Sequence, residues 1–138
     1  MDFITYKGIN LFVGWTEDNS VPVESLPTKP GLYAEICWGR HGVRVGETGR
    51  SVRGKIRHDI RWFEGMHNGT EKPEQLRRTS PICMAAKELG VTGFRFYLVS
   101  DDPRLNDKIL RQECERFLFE WCEKHAQLIS WNFQKSWR

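Results

Sequence analysis

The segment between residues 31 and 65 constrains the fold more than any other part of the chain, because three recognisable patterns follow one another in it. Residues 31–38 and 43–47 are largely apolar runs that predict two strands, and Gly39 and Gly42 stand at the edges of the turn between them. After Ser51, a favourable N-cap, apolar side chains recur at helical spacing until Gly65, a plausible end. The segment therefore predicts a β-hairpin followed by an amphipathic helix.

The rest of the chain extends this pattern on both sides. Residues 9–15 could form a strand, and residues 16–30 contain three prolines and predict an irregular arm. The elements predicted after the first helix are a loop at 67–79, a short helix at 80–90, a strand at 94–100, a long helix from Asp102 or Asn106 to about His125, and an aromatic tail at 128–138 that packs back on the domain. This order is typical of the α+β class. We expect one domain over residues 30–138, with residues 1–29 packed on it as a strand and arm.

Composition sets limits on the class of protein. With 138 residues, 39% hydrophobic and 28% charged, the chain can bury a core and does not resemble a disordered protein. No apolar run approaches the ~20 residues of a membrane span, and the N-terminus lacks the pattern of a secretory signal. The four cysteines are scattered, without zinc spacing. We therefore expect a cytoplasmic protein without a membrane partner, whose cysteines are reduced core residues.

Positive charge is concentrated on the first predicted helix. The net charge is only +3, but Arg53, Arg57 and Arg61 recur at every fourth position and Arg50 precedes them. Guanidinium groups suit bidentate contact with phosphate, and an unpaired row repels itself unless an anion neutralises it. The row predicts a phosphate-bearing partner. A solvated basic face is the alternative.

One glutamate on the last helix differs from its neighbours. A helical wheel places Glu115 at the edge of a buried face, whereas Glu113 lies on the opposite, solvated edge. A half-buried carboxylate needs a cation, which can be a metal ion or, in an ordinary salt bridge, an arginine. Tyr33, His58 and His67, taken one at a time, are more typical of structural roles.

Read in order, these features resemble the GIY-YIG nuclease superfamily over residues 30–133. The matching positions are Gly31-Leu32-Tyr33, then Arg44-Val45-Gly46, an arginine and His58 on the next helix, Glu115 and Asn132. The resemblance implies a small central antiparallel three-stranded sheet flanked by helices, with the N-terminal arm outside it. It implies an endonuclease that hydrolyses DNA phosphodiester bonds and leaves 5′-phosphate ends.

The resemblance also assigns roles to residues. Tyr33 would be the general base, Arg53 would hold the scissile phosphate with Arg57 in reserve, and His58 would orient the tyrosine or the water. Glu115 would hold a single Mg²⁺, for which Mn²⁺ could substitute, and Asn132 would fix the local backbone or the substrate. The remaining substrate contacts would come from Arg50, Arg57, Arg61, His67, Arg77 and Arg78.

Two departures from the family pattern leave alternatives open. Arg44 replaces the second motif tyrosine, and it could orient water or bind phosphate in its place. A count without gaps puts Gly54 where the family has arginine, beside Arg53. A nucleic-acid-binding module without catalysis is therefore the first alternative, and an interaction or structural protein, suggested by six tryptophans, is the second. A homodimer is also compatible with the sequence.

Overall fold

The computed structural model describes residues 2–70, 81–125 and 127–131. Its elements in chain order are β1 (Phe3–Tyr6), β2 (Ile9–Phe12), β3 (Gly31–Cys37), β4 (Gly42–Thr48), α1 (Val52–Asn68), α2 (Pro81–Leu89), β5 (Phe94–Ser100), α3 (Lys108–His125) and β6 (Ile129–Ser130), with short 3-10 turns between several of them. The alternation of strands and helices places the protein in the α+β class, as the sequence predicts.

The expectation of an antiparallel three-stranded sheet is wrong. The main sheet has four strands in the order β5-β3-β4-β6, and β6 runs parallel to β4, so the sheet is mixed. Strands β1 and β2 form a separate two-stranded sheet. Strand β2 lies within the strand predicted at residues 9–15, but its partner β1 and strand β6 escape sequence patterns for physical reasons. Strand β6 has only two residues and therefore no periodicity, and the β1–β2 turn uses Lys7-Gly8, both at positive φ, instead of Asn-Gly or Asp-Gly.

Strand β3 lies at the centre of the sheet and is buried along its whole length. It pairs antiparallel with β4, so that Tyr33 faces Gly46 and Glu35 faces Arg44 across the ladder. Cross-strand partners share one face of a sheet. The register therefore brings a tyrosine, a glycine and two charged side chains to the same face.

Two apolar clusters cover the two faces of the sheet. Helices α1 and α2 supply Ile56, Phe63 and Ala85 to the cluster that contains Tyr33. Helix α3 and strand β2 cover the other face, where Leu118 and Ile9 belong to one cluster. The N-terminal hairpin is thus packed on the domain by its own core residues, and Tyr6 Oη also donates a hydrogen bond to Glu113 Oε2 at 2.9 Å.

Helix boundaries follow local capping chemistry. The Ser51 hydroxyl oxygen accepts a hydrogen bond from the Gly54 N–H at 3.0 Å and caps α1, as its N-terminal position predicts. The helix passes through Gly65, which is buried, and ends at Gly69, whose φ of 73° is the left-handed C-cap conformation. The predicted end of the helix at Gly65 is therefore four residues too early. A glycine ends a helix where its backbone becomes left-handed, as at Gly69, whereas Gly65 is a buried residue within α1.

No helix among the described residues is both long and apolar enough to cross a membrane. Cys37, Cys114 and Cys122 are free and buried, which confirms the expectation for these three. The side chain of Cys83 lies outside the described part of the chain.

Candidate active site at the edge of strand β4

The ring of Tyr33 lies directly on the backbone of Gly46. A Cβ atom at Gly46 would lie 2.4 Å from Tyr33 Oη and 2.5 Å from Cζ, so only glycine fits opposite this tyrosine. The Tyr33 side chain is buried, and this burial raises its pKa well above the ordinary 10.0. The positive charge of Arg44 acts in the opposite direction. The phenol is therefore neutral in the protein as it stands.

Glu115 lies on α3 and reaches the edge of β4. Strand β3 pairs with the whole of β4 on one side, whereas on the other side β6 pairs only with Gly42 and Val43, so the later part of that edge has no strand beside it among the described residues. There the Glu115 carboxylate accepts a hydrogen bond from the backbone N–H of Glu47. Glu115 is 3% exposed, and its Oε2 atom has no hydrogen-bond partner within the described structure. One oxygen of this buried carboxyl group thus has no partner in the described protein.

Burial is the main cause of an unusual protonation state at Glu115. Desolvation and the negative charge of Glu47 raise the pKa of Glu115 to about 8, against the lowering effects of Arg44 and Arg111.

The buried face of α3 is centred closer to Glu115 than the helical wheel predicts, since Glu115 is among its buried residues. Its buried residues are Arg111, Cys114, Glu115, Leu118, Phe119 and Cys122.

Arg111 supports this edge from the same helix. Its guanidinium is buried, forms an ion pair with Glu47, and donates a hydrogen bond from Nη1 to the Leu105 carbonyl at 3.0 Å. A Cβ atom at Gly49 would lie 2.7 Å from Arg111 Nη2. The pair neutralises Glu47, which leaves Glu115 as the carboxylate without a direct cationic partner at this edge of the described structure.

On the α1 side of the site, Arg44 is held by two carboxylates. Its Nη1 lies 2.6 Å from Glu35 Oε1 and 3.2 Å from Asp59 Oδ2. Burial raises the pKa of Glu35 well above its ordinary value, whereas the hydrogen bond from Glu35 and the charges of Arg44 and Lys55 lower that of Asp59 in spite of its burial. Glu35 therefore carries the proton and Asp59 the negative charge. Arg44 remains cationic, with its side chain 25% exposed.

Helix α1 brings a lysine to this cluster in addition to the predicted arginines. Lys55 Nζ lies 3.1 Å from Asp59 Oδ1. Arg53 is directed to the N-terminal arm, where its Nε donates a hydrogen bond to the Leu26 carbonyl at 2.9 Å. His58 is 64% exposed, and its Nδ1 lies 3.3 Å from Asp59 Oδ1, so it borders the cluster from the solvent side.

The predicted substrate contacts occupy different places. Arg50, Arg57 and Arg61 are exposed, and none of them forms an ion pair with another described residue. His67 has its Nδ1 2.9 Å from the Ala86 carbonyl and connects α1 to α2. Gly54 is exposed, and a Cβ atom there would meet nothing closer than 3.4 Å. Asn132, Arg77 and Arg78 lie outside the described residues.

The structure thus brings together Tyr33, Arg44, His58 and Glu115 of the predicted set. Sequence reasoning missed Glu35, Lys55, Asp59 and the Glu47–Arg111 pair. One signal for Glu35 was available, because a residue two positions from Tyr33 on a strand shares its face. Asp59 carries no such signal, since a single acidic residue on an arginine-rich helix is typical of a solvated ion pair.

The site combines a neutral buried phenol, a paired but partly exposed guanidinium and a buried carboxylate with a free oxygen. No group of three or more His, Cys, Asp or Glu side chains in the described regions could hold a metal ion. A cation at Glu115 would be completed by water and ligand oxygens, which is a coordination that Mg²⁺ accepts. No protein-family model, curated protein or solved structure matches the chain.

Proposed function

We propose that this protein hydrolyses phosphodiester bonds in DNA with the help of one divalent cation, at the site formed by Tyr33, Arg44 and Glu115. The observation that carries the proposal is the buried Glu115 carboxyl group, whose Oε2 has no partner among the described residues and whose pKa is about 8. Glu35 Oε2 is also without a partner, but Glu35 pairs with Arg44 through Oε1, whereas Glu115 forms no ion pair with a described residue.

Glu115 fits a metal ligand in chemistry as well as in position. A divalent cation binds the deprotonated carboxylate, and it would therefore displace the proton that burial favours. The second oxygen is already oriented by the Glu47 N–H. When bound, such a cation would neutralise charge that develops on a phosphate and lower the pKa of nearby water and of the Tyr33 phenol.

Tyr33 and Arg44 have complementary roles in this proposal. Tyr33 accepts the proton of the attacking water, which requires the phenolate form that Arg44 favours. Arg44 is held by Glu35 and Asp59, so its guanidinium is oriented before substrate arrives and needs little reorganisation. Because its side chain is partly exposed, it can still contact a phosphate oxygen.

Cations of α1 supply the remaining contacts with the nucleic acid. Lys55 lies beside the cluster and is 31% exposed, so we assign it to the phosphate that is cut. Arg50, Arg57 and Arg61 are exposed and lack ionic partners among the described residues, so they are available for neighbouring phosphates. The resemblance of the sequence to GIY-YIG nucleases points to the same substrate.

A second candidate function is nucleic-acid binding without cleavage. It is favoured by the burial of Tyr33, which is 1% exposed, and by the pairing of Arg44 with two carboxylates. Both observations are compatible with a folded scaffold that has retained the motif residues as packing elements. The arginine row would then be the functional surface.

The deciding experiment is cleavage of supercoiled, linear and branched DNA by the purified protein with Mg²⁺ and with EDTA. The Glu115→Gln variant removes the proposed ligand. Glu113→Gln is a matched control on the same helix, because Glu113 pairs with Lys7 at the surface. We expect the wild type and Glu113→Gln to cut DNA with Mg²⁺ but not with EDTA, and Glu115→Gln to cut DNA in neither condition. DNA that is bound but left intact by the wild type would favour the binding module.

A further inference from the structure

A second concave site lies on the part of the protein covered by α3 and the N-terminal hairpin. It is a cavity of about 340 Å³ with Trp15, Trp38 and Trp121 in its wall and His41 and His125 beside them. Its volume lies at the lower end of the range of small-ligand sites. None of the described residues that line it belongs to the site around Tyr33 and Glu115. Half of the tryptophans of the chain therefore surround one cavity.

The aromatic rings are held in place by specific contacts. Trp38 Nε1 donates a hydrogen bond to Tyr97 Oη at 2.8 Å, which fixes the ring while leaving the side chain half-buried. Trp121 lies edge-on to Trp15 with centroids 6.4 Å apart, and it stacks on His125 at 5.8 Å with an interplanar angle of 19°. The wall is thus a set of flat surfaces whose positions are determined before a ligand enters.

Polar groups lie next to the indole rings of the cavity. Trp15 is 8% exposed, and its indole N–H has no hydrogen-bond partner in the described part of the chain. A buried unpaired donor destabilises the folded state. His41 holds a left-handed backbone conformation, with φ of 50°, that glycine would adopt with less strain. Its imidazole lies at the cavity together with that of His125.

The lining favours a neutral ring with hydrogen-bond acceptors. The described wall contains no carboxylate, so a cationic ligand would be attracted by the indole faces but would lose hydration without gaining a counter-charge. An aliphatic ligand would leave the imidazoles of His41 and His125 without a hydrogen-bond partner in the cavity. A nucleobase offers a flat π-face for the indoles and ring-nitrogen or carbonyl acceptors for the donors.

We propose that this cavity, which we name the tryptophan pocket, binds a single unstacked nucleobase. The inference rests on the proposed action on nucleic acid and extends it to strands that contain an unpaired nucleotide. Glu115 and His125 are ten residues apart on α3, which corresponds to ~15 Å along the helix axis. An unpaired base in the tryptophan pocket therefore lies within a few nucleotides of the phosphate at Glu115.

The test measures binding of a labelled single strand of about ten nucleotides, by fluorescence anisotropy in EDTA so that cleavage cannot interfere. Trp121→Leu removes one ring of the tryptophan pocket. Trp62→Leu is the matched control, because Trp62 is also a half-buried tryptophan but lies on α1 in the other core cluster. We expect Trp121→Leu to weaken binding about tenfold and Trp62→Leu to leave it unchanged.

Two more arms identify what occupies the pocket. A strand with abasic positions should bind the wild type as weakly as the intact strand binds Trp121→Leu. Competition by dAMP at concentrations similar to those of the strand would assign the pocket to a free nucleotide, whereas failure to compete would assign it to a base within a strand. His41→Gly should keep its turn because of the positive φ, and it should also weaken binding.

Equal affinities of Trp121→Leu, His41→Gly and the control would overturn the proposal. If the wild type cuts duplex DNA while these variants all bind single strands equally, the tryptophan pocket is refuted and the nuclease proposal stands. If the wild type binds no nucleic acid at low salt, both proposals fail.

Discussion

Arg44 Nη1 lies 2.6 Å from Glu35 Oε1 across neighbouring strands and 3.2 Å from Asp59 Oδ2 on helix α1. One guanidinium therefore connects the sheet to the helix that packs on it. Glu35 and Asp59 are both buried, so each would lose its compensation if the cation were removed. This contact makes Arg44 a structural residue as well as a candidate for catalysis.

Replacing Arg44 by Gln should destabilise the fold by about 3 kcal/mol, because two buried carboxyl groups lose their shared cation. Urea unfolding monitored by circular dichroism gives the change. Arg57→Gln is the control, since Arg57 is exposed and has no ionic partner among the described residues, and it should change stability by less than about 0.5 kcal/mol. Equal losses in the two variants would contradict the structural role of Arg44.

Glu115 should make stability depend on pH in a direction opposite to that of most carboxylates. Its pKa is raised from 4.5 to about 8, so the folded state binds the proton more tightly than the unfolded state. The stabilisation is complete below pH 4.5 and is lost as the pH rises through 8. The free energy of unfolding of the wild type, relative to Glu115→Gln, should therefore fall by a few kcal/mol over this range.

Mg²⁺ connects this pH dependence to the proposed function. At pH 8 the cation should raise the melting temperature of the wild type, because it replaces the proton on Glu115, and should leave that of Glu115→Gln unchanged. The same shift in both proteins would place the metal elsewhere.

Gly46 and Gly54 should respond in opposite ways to alanine. At Gly46 the new Cβ would lie 2.4 Å from Tyr33 Oη, so Gly46→Ala should displace the tyrosine and cost about 1–3 kcal/mol. Gly54 is an exposed helix residue whose Cβ would make only ordinary contacts, so Gly54→Ala should stabilise by roughly 1 kcal/mol. Thermal unfolding of the two variants measures both effects, and a neutral Gly46→Ala would show that Tyr33 does not need this space.

Trp131 should anchor the fourth strand of the sheet. It is 4% exposed and packs where a Cβ atom at Gly42 would otherwise lie. We expect Trp131→Ala to cost about 3–5 kcal/mol. Ile129→Ala, two residues earlier in β6 and 63% exposed, should cost less than about 0.5 kcal/mol. Hydrogen exchange of the Val43 region would reveal whether the parallel pairing is lost with the indole.

The arginine row should determine the salt dependence of nucleic-acid binding. Each phosphate contact contributes about 0.9 to the slope of log affinity against log salt on duplex DNA. The double variant Arg57→Gln and Arg61→Gln should therefore reduce the slope by about 2. Lys87 and Lys108 are exposed cations on other helices, and replacing them by Gln should leave the slope unchanged. If the arginine and the lysine double variants reduce the slope equally, binding depends on general charge attraction and not on phosphate contacts by the arginine row.

The sequence by itself determined the elements whose signals are local. The hairpin of β3 and β4, the cap at Ser51, the start of α2 at Pro81 and the bounds of β5 all follow from turn, capping and periodicity rules, which act over a few residues. The order of these elements was sufficient for the α+β class. The burial of Glu115 could be anticipated because a helical wheel depends only on neighbouring turns.

Only the tertiary structure decided which charges meet. Asp59 pairs with both Arg44 and Lys55, whereas Arg53 donates its hydrogen bond to the Leu26 carbonyl. The rotation of α1 against the sheet decides these contacts. That rotation is set by the packing of apolar residues such as Ile56 and not by the spacing of the arginines. Strand β6 and the tryptophan pocket likewise depend on contacts between residues far apart in the chain. Such contacts leave no periodic signal, since their energy comes from shape and desolvation that exist only after the chain has folded.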